Sequence, residues 1–164
     1  MIARVATVDE LPFSLRLFYR AYRWRRIDPV PWTPMSKPLR EARLVLVSTA
    51  GMVAPDQTEF DQSFRGGDYS FREIGDDAVV STLIESHRSE AFDHEGIRSD
   101  PNLGFPLDRL HELARESEIG SLNHRHLSFM GSITAPGRLA AQTAPAAAQL
   151  LVDDRVDAAL LVPV

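Results

Sequence analysis

Five histidines, His87, His94, His111, His124 and His126, are the residues best suited to acid–base or metal chemistry near neutral pH. Glu85, Glu90, Asp93, Glu95 and Asp100 surround the first two. Convergent histidines and carboxylates build zinc and iron sites, yet no H-E-x-x-H helix or other geometry-fixing spacing occurs. We therefore expect no metal and keep a His/carboxylate metal-dependent hydrolase as a third reading only. His124 and His126 are two apart, which on a strand puts both on one face, as pocket residues or as satisfied polar groups. Arg72, Arg109 and Arg125 could each grip a substrate carboxylate bidentately or serve a structural ion pair. Thr49, Ala50 and Gly51 could offer backbone N–H groups to an anion, although a plain tight turn has the same composition. The chain has no G-x-S-x-G elbow and no G-x-x-x-x-G-K-[ST] loop, and Lys37 is its only lysine. Serine-hydrolase and phosphate-cradling chemistry thus lack support. Cysteine is absent, which excludes disulfides, thiolate ligands and thiol chemistry within these 164 residues.

The elements that must position these residues follow from patterning. A 164-residue chain with 44% hydrophobic content supports one domain with a core, since chains of this size bury roughly 70% of their unfolded surface. A net charge of -5 argues against a nucleic-acid partner. No long apolar run or leader-like segment is present, so a cytoplasmic protein is expected, with a membrane surface an improbable partner. Residues 1–28 hold Arg4, Arg16, Arg20, Arg23, Arg25 and Arg26 against Asp9, Glu10 and Asp28, and the rest of the chain carries the acidic excess. Within them, 11–26 reads as one amphipathic helix with Phe13, Leu17 and Tyr22 or Trp24 on a stripe. Such a helix packs on its own domain or docks on an acidic surface. Pro29, Pro31, Pro34 and Pro38 make 29–42 an extended connector.

Residues 43–164 form the main domain. RLVLVS at 43–48 is a buried strand and predicts a parallel sheet. A long loop follows at 52–68, then strands at 69–74 and 79–86 and a polar stretch at 87–102. Pro106 opens a helix that carries Leu107, Leu110, His111, Leu113 and Ala114 on one face and ends at Gly120. Next come a strand at 122–130, a turn at 131–137, an alanine-rich helix at 138–152 that Pro145 begins or kinks, and a final buried strand at 158–162. The order describes a three-layer α/β domain with a mostly parallel sheet, whose chemistry belongs beyond the carboxyl ends of its strands. Leu160, Leu161 and Val162 on an uncovered last strand would favour self-association.

GDYSFREI (67–74), SHRSEAFDHEGIRSDPN (86–102), FPLDRL (105–110), EIGSL (118–122) and RHLSFMGSI (125–133) occur in an order that resembles the selenoprotein B family of the glycine, sarcosine, betaine and D-proline reductases, especially its small stand-alone members. The resemblance spans roughly residues 31–164. It implies reductive cleavage of a carbon–nitrogen bond in an amino acid or its methylated relative, with a selenol or thiol as nucleophile. A dithiol, such as that of a thioredoxin-like protein, would supply the electrons, and a multi-subunit reductase complex or homo-oligomer would be the assembly. In the family the DAALLVP strand, here 157–163, runs into a Sec/Cys-x-x-Cys motif. The expectation is a chain truncated before that motif, its last βα portion missing, with a UGA codon after Val164 that the nucleotide sequence would reveal. These 164 residues would then show no redox turnover, carry no cofactor of their own, and leave a selenocysteine or cysteine pair to the full-length product.

Chemical type and predicted position, and not the resemblance, nominate the pocket. His87 or His126 would donate a proton to the leaving amine. Asp93 would orient that histidine or bind a substrate ammonium, and Arg72 or Arg125 would hold a carboxylate. Thr49, Gly51, Ser128 and Gly131 would line the edge. The rival reading is a non-catalytic binding or accessory module on the same fold.

Overall fold

The computed structural model describes residues 8–22, 26–89 and 92–164. Arg4, Arg23, Trp24, Arg25 and Glu90 lie outside the described residues. Two compact units are present, Met1–Pro34 and Met35–Val164. In the first, helix α1 (Phe13–Ala21) is shorter than the expected 11–26, because Tyr22 turns extended at ψ 128°. None of its nine residues is buried and no side chain caps it. A helix this short is marginal without tertiary packing, so nothing extends it.

The second unit is built on strand β1 (Arg43–Ser48). β5 (Ser121–Leu122) and β6 (Arg125–Phe129) pair with it in parallel, one after the other along one side, and β7 (Ala158–Val162) pairs in parallel along the other. β3 (Phe71–Gly75) runs antiparallel beside β6, so the sheet is mixed but mostly parallel. β1 is apolar on both faces, as the central strand of a covered parallel sheet must be. One face packs Leu44, Leu46 and Ile74 against Phe105, Ile97 of α2 (His94–Ser99), and Leu107 and Leu110 of α3 (Leu107–Arg115). The other presents Val47, Leu127 and Leu161 toward Ala147 and Leu151 of α4 (Ala144–Asp153) across an apolar cavity of about 470 Å³. Helices on both faces make this a three-layer α/β domain. Among the described residues no helix is long and apolar enough to cross a membrane.

Several expected elements differ in detail. Instead of a strand at 79–86, Val80–Thr82 forms a 3-10 turn and β4 (Ile84–Glu85) pairs antiparallel with β2 (Met52–Val53) in a separate ribbon. The Thr82 hydroxyl donates to the Val79 carbonyl at 2.8 Å, which favours a turn over a ladder. The strand expected at 122–130 breaks at Asn123, whose side-chain amide donates to the Arg125 carbonyl at 2.9 Å. The polar stretch 87–102 contains α2, capped by Asp93 accepting from the Gly96 N–H, and a following 3-10 turn capped by Asp100. α3 ends at Arg115 rather than Gly120. A Cβ at Gly120 would lie 2.6 Å from the Glu41 carbonyl carbon, so this glycine permits the approach to β1 instead of ending a helix. The expected helix at 138–152 opens as a π turn, Leu139–Thr143, before α4, because Pro145 has no N–H to continue the ladder.

Candidate functional site

The carboxyl ends of β1, β6 and β7 converge. Thr49 N–H donates to the Val162 carbonyl at 3.1 Å and the Gly131 N–H to the Thr49 carbonyl at 2.8 Å. Val164 N–H donates to the Thr49 hydroxyl at 2.9 Å. Gly51, at φ 70°, turns the chain so closely past the Ser86–His87 backbone that a Cβ there would lie 3.2 Å from the His87 nitrogen. That left-handed conformation and that contact together require glycine. The turn is fixed by Ser86 N–H donating to the Gly51 carbonyl at 2.9 Å, which sets His87 at the sheet's carboxyl edge.

His87 is 5% exposed. Its Nδ1 accepts from the Ser89 N–H at 3.2 Å, which assigns the ring proton of the neutral form to Nε2. Nε2 is buried and has no hydrogen-bond partner among the described residues. The ring stacks on Phe92 at 4.2 Å between centroids, and the His87 backbone N–H donates to Glu85 Oε1 at 2.5 Å. Burial pushes the imidazole pKa down; Glu85 opposes this, while His94 and Arg88 add to it. A neutral ring with an unsatisfied Nε2–H favours hydrogen-bond donation to an anion over delivery of a stored proton.

His87 borders two cavities. One of about 360 Å³ is lined by His87, Ser89, Phe92, Asp93, Ser132 and Val164. The other, of about 270 Å³, is lined by Gln62, Glu85, His87, Arg88, His94 and Arg98. Gly131 supplies the room for the ring, since a Cβ on it would lie 2.8 Å from His87 Nε2 and 3.1 Å from the Thr49 carbonyl oxygen. Gly131→Ala is expected to displace the imidazole and cost about 1–3 kcal/mol by overpacking. Urea denaturation and the His87 ring resonances check this, and unchanged values for both would show the edge to be loose.

Thr49, Gly51, Gly131 and His87 are thus gathered at one edge. Ser128 is fully buried on β6 opposite Ser48, its hydroxyl without a hydrogen-bond partner among the described residues. Asp93 borders the larger cavity while its Oδ1 accepts from Gly96 N–H at 2.9 Å as the cap of α2. Arg72 donates to the Thr58 carbonyl at 2.7 Å, the Glu59 carbonyl at 3.0 Å and the Ser70 hydroxyl at 2.8 Å. It lies over the Phe60 ring at 4.3 Å and fastens the 52–68 segment. Arg125 starts β6, at the opposite end from Gly131, with both Asp154 oxygens at 2.7 Å and Glu73 at 2.9 Å. His126 is fully enclosed: Nδ1 accepts the Leu46 N–H at 3.0 Å and Nε2 donates to Asp76 Oδ1 at 3.1 Å. It belongs to the interior beneath Phe105 and not to the edge with His87. Arg109 pairs with Glu112 on α3.

Glu85, Arg88, His94 and Arg98 are site residues that sequence reasoning either missed or considered only as metal ligands. The available signal was D-H-E-G-I-R at 93–98, where a capping aspartate starts a helix and sets His94 and Arg98 four residues apart on one face. Among the described residues no group of three or more His, Asp or Glu is placed to hold a metal ion.

The family model described as glycine/sarcosine/betaine reductase selenoprotein B matches residues 13–164. D-proline reductase subunit gamma of Acetoanaerobium sticklandii is 35% identical over 136 residues, 82% of this chain and 54% of that protein. Sarcosine reductase complex component B subunit beta of Peptoclostridium acidaminophilum is 30% identical over 137 residues, 82% of this chain and 30% of that protein. Glycine reductase complex component B subunit gamma of Carboxydothermus hydrogenoformans is also 30% identical over 137 residues, covering 31% of its length. The chain therefore spans about half or less of these relatives. No solved structure matches it significantly.

Proposed function

Because the chain belongs to the glycine/sarcosine/betaine reductase selenoprotein B family, we propose that its α/β domain forms the substrate pocket of a selenol- or thiol-dependent reductase acting on a small amino acid or its methylated relative. The observation that carries this reading is the buried Nε2–H of His87, unpartnered among the described residues, on a ring that borders two cavities at the carboxyl edge of the sheet. A selenol or thiol, contributed by residues other than these 164, would act as the nucleophile, and a dithiol oxidised to its disulfide would supply the two electrons that reductive carbon–nitrogen cleavage consumes. His87 Nε2–H then offers a preorganised donor to negative charge in the pocket. Glu85 holds the His87 backbone, Ser89 holds its tautomer, and Phe92 holds its ring plane. Thr49 ties Val164 to the same edge. The relatives are named as reductase subunits, two of them as components of complexes. Membership of such a complex, with a dithiol protein as electron donor, is part of the proposal.

Titration of the 164-residue chain with glycine, sarcosine, betaine and D-proline tests it, by calorimetry and by the His87 ring resonances. At least one of the four is expected to bind at millimolar concentration and shift the His87 signals. His87→Ala should weaken that binding about tenfold, the worth of one hydrogen bond to a charged group. Absence of binding by all four would sink the reading.

A further inference from the structure

Among the described residues, the smaller cavity is lined by more guanidiniums than carboxylates. Glu85 has a side chain 3% exposed and supplies one negative charge at the end of β4. His94 Nδ1 lies 2.8 Å from its Oε2, while His94 Nε2 lies 3.0 Å from the Ser89 carbonyl. Arg98, one turn further along α2, reaches the same Oε2 at 3.3 Å. That is long for a charge-assisted bond, which normally closes to about 2.7–2.9 Å, so the guanidinium is weakly held. Arg88 donates one N–H to the Phe64 carbonyl at 2.9 Å and also borders the cavity. Among the described residues that line the cavity, one carboxylate thus stands against two guanidiniums. Arg72 and Arg125, by contrast, are already occupied by carbonyls and carboxylates.

We propose that the cavity between β4 and α2 is a carboxylate site, in which Arg88 and Arg98 hold the carboxylate of the amino-acid substrate beside His87. This rests on the function proposed above and assigns residues to its substrate. A volume of about 270 Å³ lies below the usual range for drug-sized ligands of about 300–1,000 Å³ and suits a small amino acid. Glu85 acts as the positioning residue: it aligns His94 and Arg98 and, through the His87 backbone N–H, couples the carboxylate site to the histidine.

Arginine Nε–H resonances of the 164-residue chain, titrated with acetate, glycine and glycinamide, test the assignment. Acetate and glycine should shift Arg88 and Arg98, and glycinamide, which lacks the carboxylate, should not. Arg98→Gln and Arg88→Gln should each weaken glycine binding about tenfold or more, and Arg98→Lys should restore part of the loss. Arg98 is exposed on α2, so its variants should fold, and Arg109→Gln on α3 is the control expected to bind as the native chain does. Glycine shifting His87 with full affinity in both arginine variants would overturn the carboxylate assignment and leave the proposed pocket standing. Acetate shifting the two arginines while no amino acid binds would keep an anion site and overturn the amino-acid reading. Silence of both arginines toward acetate and glycine would overturn the carboxylate assignment, and the pocket itself falls only if sarcosine, betaine and D-proline fail to bind as well.

Discussion

Asp154→Ala is expected to destabilise the domain by about 3 kcal/mol, the lower end of what removing one partner from a buried ion pair costs. Asp154 follows α4, and its side chain is 7% exposed. One oxygen accepts from Arg125 Nε and the Asn123 amide, and the other from the second terminal nitrogen of Arg125. The hydrogen bonds from Arg125 hold its carboxyl far below the usual carboxylate range, and the same bonds raise the guanidinium further. Alanine would leave Arg125 with Glu73 alone and the Asn123 amide one acceptor short. The break between β5 and β6, the start of β6 and the end of α4 would lose their common fastening. Arg125 is 25% exposed, so water recovers part of the cost and the upper end of the range is not reached. Asp154→Asn, which keeps the shape without the charge, should fall between the native chain and the alanine variant. Urea denaturation gives the numbers. A loss within about 0.5 kcal/mol would class the pair with ordinary surface bridges.

This pair shows where sequence reading stops. The strands at 43–48 and 158–162 were legible to the residue because continuous Leu, Val and Ala runs, bounded by turn residues, have one low-energy use in a covered parallel sheet. The convergence of the first strand's end with Gly131 followed from parallel topology. α2 was not legible: it is six residues long, contains Gly96, and buries only Ile97, so no apolar period reports it. The strand break at Asn123 depends on a side-chain amide reaching the backbone two residues on, which a β-rich pattern hides. Among the arginines the difficulty was of another kind. Arg72, Arg88, Arg98 and Arg125 are chemically identical in the sequence, and only the fold decides which ones meet acceptors. Carbonyls and an aromatic ring hold the first, two carboxylates hold the last, and the two nearest His87 border the smaller cavity. The histidines divide in the same way, with His126 taken by Leu46 and Asp76 and His87 left with a buried Nε2–H that has no partner among the described residues.

Acidification from pH 7 to pH 5 should therefore destabilise the domain through these two histidines. Both have pKa values lowered in the folded state, with burial as the largest cause in each. For His126 the Asp76 hydrogen bond pulls the other way and His111 and His124 add to the lowering; for His87 the opposing group is Glu85, with His94 and Arg88 adding to the lowering. Above the unfolded value of about 6.5 both states are neutral and nothing is lost. Below it the unfolded chain binds protons that the folded chain refuses, so stability falls with pH until the folded values are reached. Each histidine contributes at most about 1.4 kcal/mol per pH unit in that window. Asp68, Asp154 and Asp157 are all lowered, so their loss begins only near the unfolded carboxyl value and leaves the window to the histidines. Protonating His126 Nδ1 would also cancel its acceptance of the Leu46 N–H inside the central sheet, which is why the fold resists it. His126→Gln keeps an acceptor and a donor at the same place. It should unfold earlier at pH 7 but lose stability less steeply on acidification, by one proton's worth, and His87→Ala should remove the other. Denaturation midpoints at pH 7, 6 and 5 measure the slopes, and a His126→Gln slope as steep as the native one would mean that the imidazole takes up its proton as readily in the folded chain as in the unfolded one.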